Sequence, residues 1–502
     1  MRRLALLSTS ILLFCVAGLL LSMNACGGSG TSKITVPPPA SKIQHVVIIF
    51  QENRTPDNLF QGLCIPPYGS ASACSTNPSA SQYNIASSGV NSTGATITLN
   101  PIDLGTVGTN GNPDNYDLSH AHSAFADMCD LNASGACQMN GADLIPISCG
   151  AGATNCPPAN PQFMYVYPND VAPYLTMAQT YTFADQMFQT NEGPSMPAHQ
   201  FIISGTSAPS AGSNLFEAEN PAGLKNADNN TGCTAPPAEY VEQIDPAGVE
   251  SPIYPCFEHQ TLTDLLNAAN ISWRYYAPSA GSIWTAPNAI EHMCGPNATP
   301  PNATACTGSD WTNNVVLATS QNSAPVLTDI INGNLATVSW VIPNGLESDH
   351  ALSNDGSGPS YVSAVVNAIG NSSYWSNTAI ILTWDDWGGW YDHVPPQVLG
   401  GPNCAQWGCG YVYGFRVPMI VISPYAKPAY ISHVTHDFGS ILKFIETNWN
   451  LPSLGYADTP ADDLSDCFNF TQTPITFKTV PAVLKADYFM NDKRPPTDPD
   501  DD

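Results

Sequence analysis

Apolar residues fall into two patterns along this chain. Short, nearly continuous runs occupy 43–50 (IQHVVIIF), 201–205 (FIISG), 336–342 (ATVSWVI), 378–384 (TAIILTW) and 417–423 (VPMIVIS), as in strands buried on both faces of a sheet. Between them, helical spacing runs over about 171–188, 259–269, 323–332, 360–369 and 437–449. Strands alternating with helices predict an α/β fold, with a mostly parallel central sheet covered by helices on both faces. The segments 61–165, 206–256 and 277–322 are rich in Gly, Pro, Asn, Ser and Cys with little periodicity. They read as long insertions that build the rim of a site.

The ends of the chain follow other rules. Arg2-Arg3, an apolar stretch from Leu4 to Leu21 and Ala25-Cys26 before a Gly/Ser/Thr/Pro run read as an export signal over 1–25. A lipid-modified Cys26 and a flexible linker over 26–42 would follow, placing the protein on the cell envelope of a bacterium. Met23 and Asn24 are unusual choices at their positions, which leaves plain secretion as the alternative. Residues 43–480 are expected to form one domain, and 481–502, ending in DKRPPTDPDDD, an acidic disordered tail.

Of 15 cysteines, Cys15 and Cys26 lie in the leader, and the remaining 13 include the close pairs Cys64/Cys74, Cys129/Cys137, Cys149/Cys156, Cys294/Cys306 and Cys404/Cys409. In an exported chain these read as disulfides stapling loops, and the odd total leaves one thiol over, with Cys467 the candidate. A balance of 14 Lys+Arg against 41 Asp+Glu, net −27, excludes nucleic acid as a partner.

Ligands of open α/β sheets bind at the carboxyl ends of the strands. The first run ends in Gln51-Glu52-Asn53-Arg54 and the fourth in Asp385-Asp386, which together could cage one hard divalent cation (Ca, Mg or Mn) with oxygen ligands. Each pair also has an ordinary reading, as a helix cap or a turn. Ser195, in NEGPSMPAHQF ahead of FIISG, sits on a Gly/Pro-shaped turn that can present a hydroxyl to a cleft or be everyday loop material. Among ten histidines, His120, His122, His199, His259, His350 and His393 stand in motif-like settings, available to contact an anion or protonate a leaving group.

The segment IQHVVIIFQENRTPDNLFQG resembles the first signature of the phospholipase C/acid phosphatase family within the alkaline-phosphatase-like superfamily. EGPSMPAHQFIISGT, FEHQTLTDLLNAANISWRYY, VSWVIPNGLESDHALS and TWDDWGGWYDHVPP follow in the family's order, and ADDLSDCFNF is similar to its closing segment. The resemblance implies that Glu52, Asn53, Asp385 and Asp386 bind a metal and that Ser195 is phosphorylated during turnover. It also implies that His120, His259 and His350 line the phosphate pocket, with His350 the proton donor, and that Asn53, His199 and His393 contact substrate.

The expected function is therefore an acid-phosphatase-like phosphomonoesterase. A phospholipase C acting on phospholipid head groups is the alternative, and a non-catalytic surface lipoprotein a further one. Trp387 stands where many relatives have His, and Ser195 where phospholipase members often have Thr. The segment around Ser195 has no arginine of the kind a sulfatase-like site carries.

Overall fold

In the computed structural model the described residues are 41–105, 115–134, 136–222, 231–397 and 413–497. The leader with Cys26 and the Cys404/Cys409 pair lie outside them.

Eight strands make the central sheet: β1 His45–Gln51, β2 Thr182–Ala184, β3 Trp273–Ala277, β4 Val315–Leu317, β5 Val338–Val341, β6 Thr378–Trp384, β7 Met419–Ile422 and β8 Tyr430–Ser432. They lie in the order β4-β3-β5-β1-β6-β7-β2-β8. All neighbours are parallel except β7, which runs against both β6 and β2. β1 and β6 are apolar, buried and central, as their unbroken hydrophobic runs require.

The sheet's alternation sorts the helices into two layers. Phe50 of β1 meets Phe438 of α6 (Phe438–Trp449) and His199 of α2 (Ser195–Ser204). Gln51 points the other way, and its register partner Trp384 packs on Tyr174 of α1 (Ala172–Thr180). The remaining major helices are α3 (Leu262–Ala268), α4 (Pro325–Ile331) and α5 (Gly358–Gly370). α2 packs on α3 and α6, and α5 on α1 and α4.

Several expectations need correction. FIISG is not a strand but the end of α2, which begins at Ser195 and stops at Gly205 in the left-handed conformation (φ +71°). Pro194 and Pro197 suit a first helical turn and glycine a helix stop. Because α2 is buried on every side, its apolar run is continuous, and periodicity cannot separate that from a strand. The 171–188 helix ends at Thr180, where the aromatic and β-branched Tyr181-Thr182-Phe183 turn the chain into β2.

Residues 481–497 are not a disordered tail. The helix Ala486–Met490 buries Phe489 against Tyr361, and Arg494 pairs with Asp355 at 2.7 Å.

Disulfides Cys64–Cys74, Cys129–Cys137, Cys149–Cys156 and Cys294–Cys306 staple the insertions as expected. Cys233–Cys256 joins them, and Cys467 is free and buried. Among the described residues no helix is long and apolar enough to cross a membrane.

One buried ion network ties the segment after β1 to the segment after β6. Arg416, fully buried, grips both oxygens of Asp392 at 2.9 Å and also donates to the carbonyls of Asn84 and Asp185. Asp57 lies 3.5 Å away and accepts from the backbone and ring of His393. Removing one partner strands the other charges in the interior. Arg416→Met is expected to cost about 3–5 kcal/mol, read as a lower guanidinium midpoint; an unchanged midpoint would show that the network does not hold the two segments.

Candidate active site and metal centre

Strand register places the two acidic pairs side by side. Gln51 of β1 opposes Trp384 of β6, and Asp385 N–H donates to the Gln51 carbonyl at 2.9 Å. The next residues on both strands therefore leave the sheet together. Asn53 turns the first segment with φ +62°, a left-handed conformation that asparagine tolerates better than most residues. Its N–H then donates to Asp385 Oδ1 at 2.9 Å. The second segment passes so close that a Cβ on Gly388 would lie 2.3 Å from the Asn53 carbonyl, so only glycine fits.

Ser195 is the first residue of α2, at its positive end, and is 1% exposed. The turn before it is fixed by side-chain amides. Asn191 Nδ2 donates to the carbonyls of Gly193 and Pro194, and Asn220 Oδ1 accepts from Met196 N–H. Ser195 Oγ donates to Asp386 Oδ2 at 3.2 Å, while Asp386 Oδ1 accepts from Gly388 N–H at 2.7 Å.

One helical turn after Ser195, His199 projects from the same side of α2. Its Nε2 lies 3.2 Å from Glu52 Oε1 and 4.0 Å from Asp385 Oδ2. Sequence reading had His199 as a substrate contact and missed this place in the acidic cluster. The i, i+4 spacing was the available signal, hidden by taking 201–205 for a strand.

The electrostatics of the cluster ask for a cation. Glu52, Asp385 and Asp386 are fully buried. Burial, followed by the Asp385 charge, pushes Glu52 well above the usual carboxylate range, and the same two causes raise Asp386 to about 8. Glu52 Oε2, Asn53 Oδ1 and Asp385 Oδ2 are buried acceptors without a hydrogen-bond partner. Burial holds His199 near 4, so its imidazole is neutral and carries one N–H.

Tyr275 cannot donate to His199, because its single O–H goes to the Trp284 carbonyl at 2.8 Å. The His199 proton therefore belongs on Nδ1, 3.4 Å from Tyr275 Oη. That leaves the Nε2 lone pair beside the Glu52 and Asp385 oxygens, free to join them in holding a cation. Glu52, Asp385 and His199 thus fit a divalent ion, with one nitrogen in what was expected to be an all-oxygen cage.

Two of the expected pocket histidines gather here. His120 Nδ1–H donates to the Leu118 carbonyl, so its Nε2 accepts from Asn53 Nδ2 at 3.0 Å. This leaves Asn53 Oδ1 a buried acceptor without a partner and engages an N–H that was expected to meet substrate. The ring of His350 lies 5.7 Å from that of His120, and both histidines oppose the rise at Asp386.

His259 and His393 do not gather here. His259 hydrogen-bonds Ser204 at the far end of α2, about 13 Å along the axis from Ser195. His393 belongs to the Arg416 network, held between Asp57 and Asn84. His259 is buried and His393 half-buried, and each has both ring nitrogens engaged by protein partners.

Residues 43–452 match the sequence model of the phosphoesterase family. The chain is 35% identical over 165 residues to phospholipase C A of Mycobacterium tuberculosis, covering 29% of this chain and 32% of that protein. It is 25% identical over 352 residues to the non-hemolytic phospholipase C of Pseudomonas aeruginosa, covering 64% and 46%. The matches therefore span about a third of the first relative's length and under half of the second's. Among solved structures it is similar to the lipoteichoic acid synthase LtaP from Listeria monocytogenes, at 8% identity over 86% of this chain and 77% of that one, with TM-score 0.34.

Beside the Ser195 turn, His122 lies 3.2 Å from Glu192 and 2.9 Å from Glu250, and its backbone N–H donates to Glu219. Burial lowers its pKa, but the surrounding carboxylates outweigh that and raise it to about 9. Its charged form contributes stability that is complete below an ordinary histidine's pKa of 6.5 and lost as pH rises through about 9. The difference in melting temperature between the wild type and His122→Gln should be largest near pH ~6 and close by pH ~9.5; a constant gap would show that the charge is not what holds the turn.

Proposed function

Because the chain belongs to the phosphoesterase family, we propose that it hydrolyses phosphoesters with Ser195 as nucleophile. The supporting observation is the Ser195 hydroxyl, 3.2 Å from Asp386, at a helix N-terminus beside an acidic cluster with three unpartnered acceptors. Glu52, Asn53, Asp385 and Asp386 are the proposed metal ligands, to which the geometry adds His199. A divalent ion bound there would lower the cost of forming the serine alkoxide and neutralise a non-bridging phosphoryl oxygen.

The remaining steps belong to the chain's own groups. Asp386 takes the Ser195 proton as Oγ attacks phosphorus in line, the ester P–O bond breaks, and His350 protonates the departing oxygen. Water then attacks the phosphoserine, restoring Ser195 and releasing phosphate. His120 engages the Asn53 amide nitrogen, so that the amide oxygen would be free to hold the ion.

The substrate is proposed to be a phosphomonoester, with Ser195 in the acid-phosphatase manner. A second reading, phospholipase C action on head groups, is favoured by the names of the relatives. A chromogenic phosphomonoester assayed beside a phosphocholine ester separates the two, and activity on neither would favour a surface binding protein. We place the enzyme outside the cytoplasm, as five disulfides favour, with 43–480 as one catalytic domain anchored through a lipid on Cys26.

Ser195→Ala should reduce phosphate release by about 10³-fold or more with metal content unchanged; substantial residual turnover would remove Ser195 as nucleophile. Asp385→Asn and His199→Ala should each lower bound metal and activity about tenfold or more. Full metal content in His199→Ala, by elemental analysis, would restrict this residue to packing.

A further inference from the structure

The floor of the site is roofed by a chain of aromatic rings, and one member carries a donor with nothing to bond. From His120 the rings run to His350 at 5.7 Å, from His350 to Trp284 at 6.2 Å, and from Trp284 to His199 at 6.3 Å. Trp284 therefore spans the two halves of the site, from the histidine beside Asn53 and Asp386 to the one beside Glu52. It comes from the 277–322 insertion, is fully buried, and its Nε1–H has no hydrogen-bond partner.

Burying an indole N–H without an acceptor costs free energy, and four other indoles of this fold avoid it. The indoles of Trp273, Trp340, Trp375 and Trp384 donate to Asn267, Ile202, Ile475 and Asp349 at 2.8–3.1 Å. Trp387 and Trp390 also lack an acceptor. Trp387 stands edge-on to Phe415, Phe125 and His120, and Trp390 lies under the Arg54 guanidinium. Of the three, Trp284 is the one whose ring lies against both His199 and His350, the histidines on the two sides of the site.

The position is also rigid. Tyr275 O–H holds the Trp284 carbonyl at 2.8 Å, and Ser282 Oγ accepts from its backbone N–H at 3.2 Å. A buried, fixed donor packed on the histidines of a site whose own acceptors lack partners is complementary to a group bearing anionic oxygens. In a chain of 14 Lys+Arg, whose buried arginines are committed to protein partners, a neutral N–H supplies such a contact without adding a charge.

Resting on the phosphoester reading above, we propose that the indole N–H of Trp284 donates a hydrogen bond to a phosphoryl oxygen of the substrate. Trp284 is then a substrate-contacting residue contributed by an insertion rather than by the sheet.

The test uses the metal-loaded full chain and inorganic phosphate as probe. Trp284→Phe keeps the ring and removes the donor. It should fold and bind metal as the wild type does, yet raise the inhibition constant for phosphate about 10- to 100-fold, the worth of one hydrogen bond to a charged group. In protein labelled with ¹⁵N at the indoles, the Trp284 N–H resonance should move saturably with phosphate. The same titration in Ser195→Ala should give the same shift, so an error in the nucleophile assignment leaves this result in place. An unchanged inhibition constant in a folded Trp284→Phe, or a Trp284 resonance that ignores phosphate while other site signals respond, overturns the proposal. Should the variant fail to fold, the resonance in the wild type decides alone.

Discussion

The pairing of β1 with β6 sets the terms for everything around it. Two central strands run in the same direction and stay in register to their last residues, so whatever follows them arrives at one point, and here both continue into acid. Glu52, Asp385 and Asp386 are thereby forced together out of water, where burial and then the charge of Asp385 make ionisation of Glu52 and Asp386 harder. Among the described residues, the two buried arginines do not answer them. Arg54 is spent on the Asp349 carbonyl and the Trp390 ring, and Arg416 on Asp392 and Asp57. The sheet thus creates a demand for positive charge that the polypeptide leaves unmet.

The neighbouring residues preserve that demand rather than relieve it. Tyr275, by giving its proton to the Trp284 carbonyl, fixes which nitrogen of His199 stays bare. His120 performs the same office for Asn53, engaging its amide nitrogen so that the oxygen stays bare. Both devices sort donors from acceptors at a distance of one bond, and both depend on a backbone carbonyl as the final acceptor.

Much of this was legible in the sequence for a simple reason. A buried parallel strand must be apolar throughout, so its end is marked wherever polarity resumes, and Glu52-Asn53 and Asp385-Asp386 stood at two such ends. The same rule failed at 201–205, because a helix buried on every side is also apolar throughout, and with it went the adjacency of Ser195 and His199. His259 and His393 were misplaced because a motif-like setting does not say which nitrogens are already engaged. Trp284 carried no signal, since it lies in an aperiodic insertion whose path only the folded chain reveals. The Cys233–Cys256 bond escaped notice because its partners are 23 residues apart, beyond the close pairs that caught the eye. The tail was judged by its charge, although Phe489 alone was enough to anchor it.

A helix measures distance by counting residues. Because Ser195 and His199 share α2, their separation is one turn, and adding or deleting a single residue between them would rotate one by about 100° relative to the other. The insertions at 61–165, 206–256 and 277–322 can drift in length and still deliver a side chain such as Trp284 to the rim. The spacing of Ser195 and His199 is thus a constraint of residue number, one that the aperiodic loops do not carry.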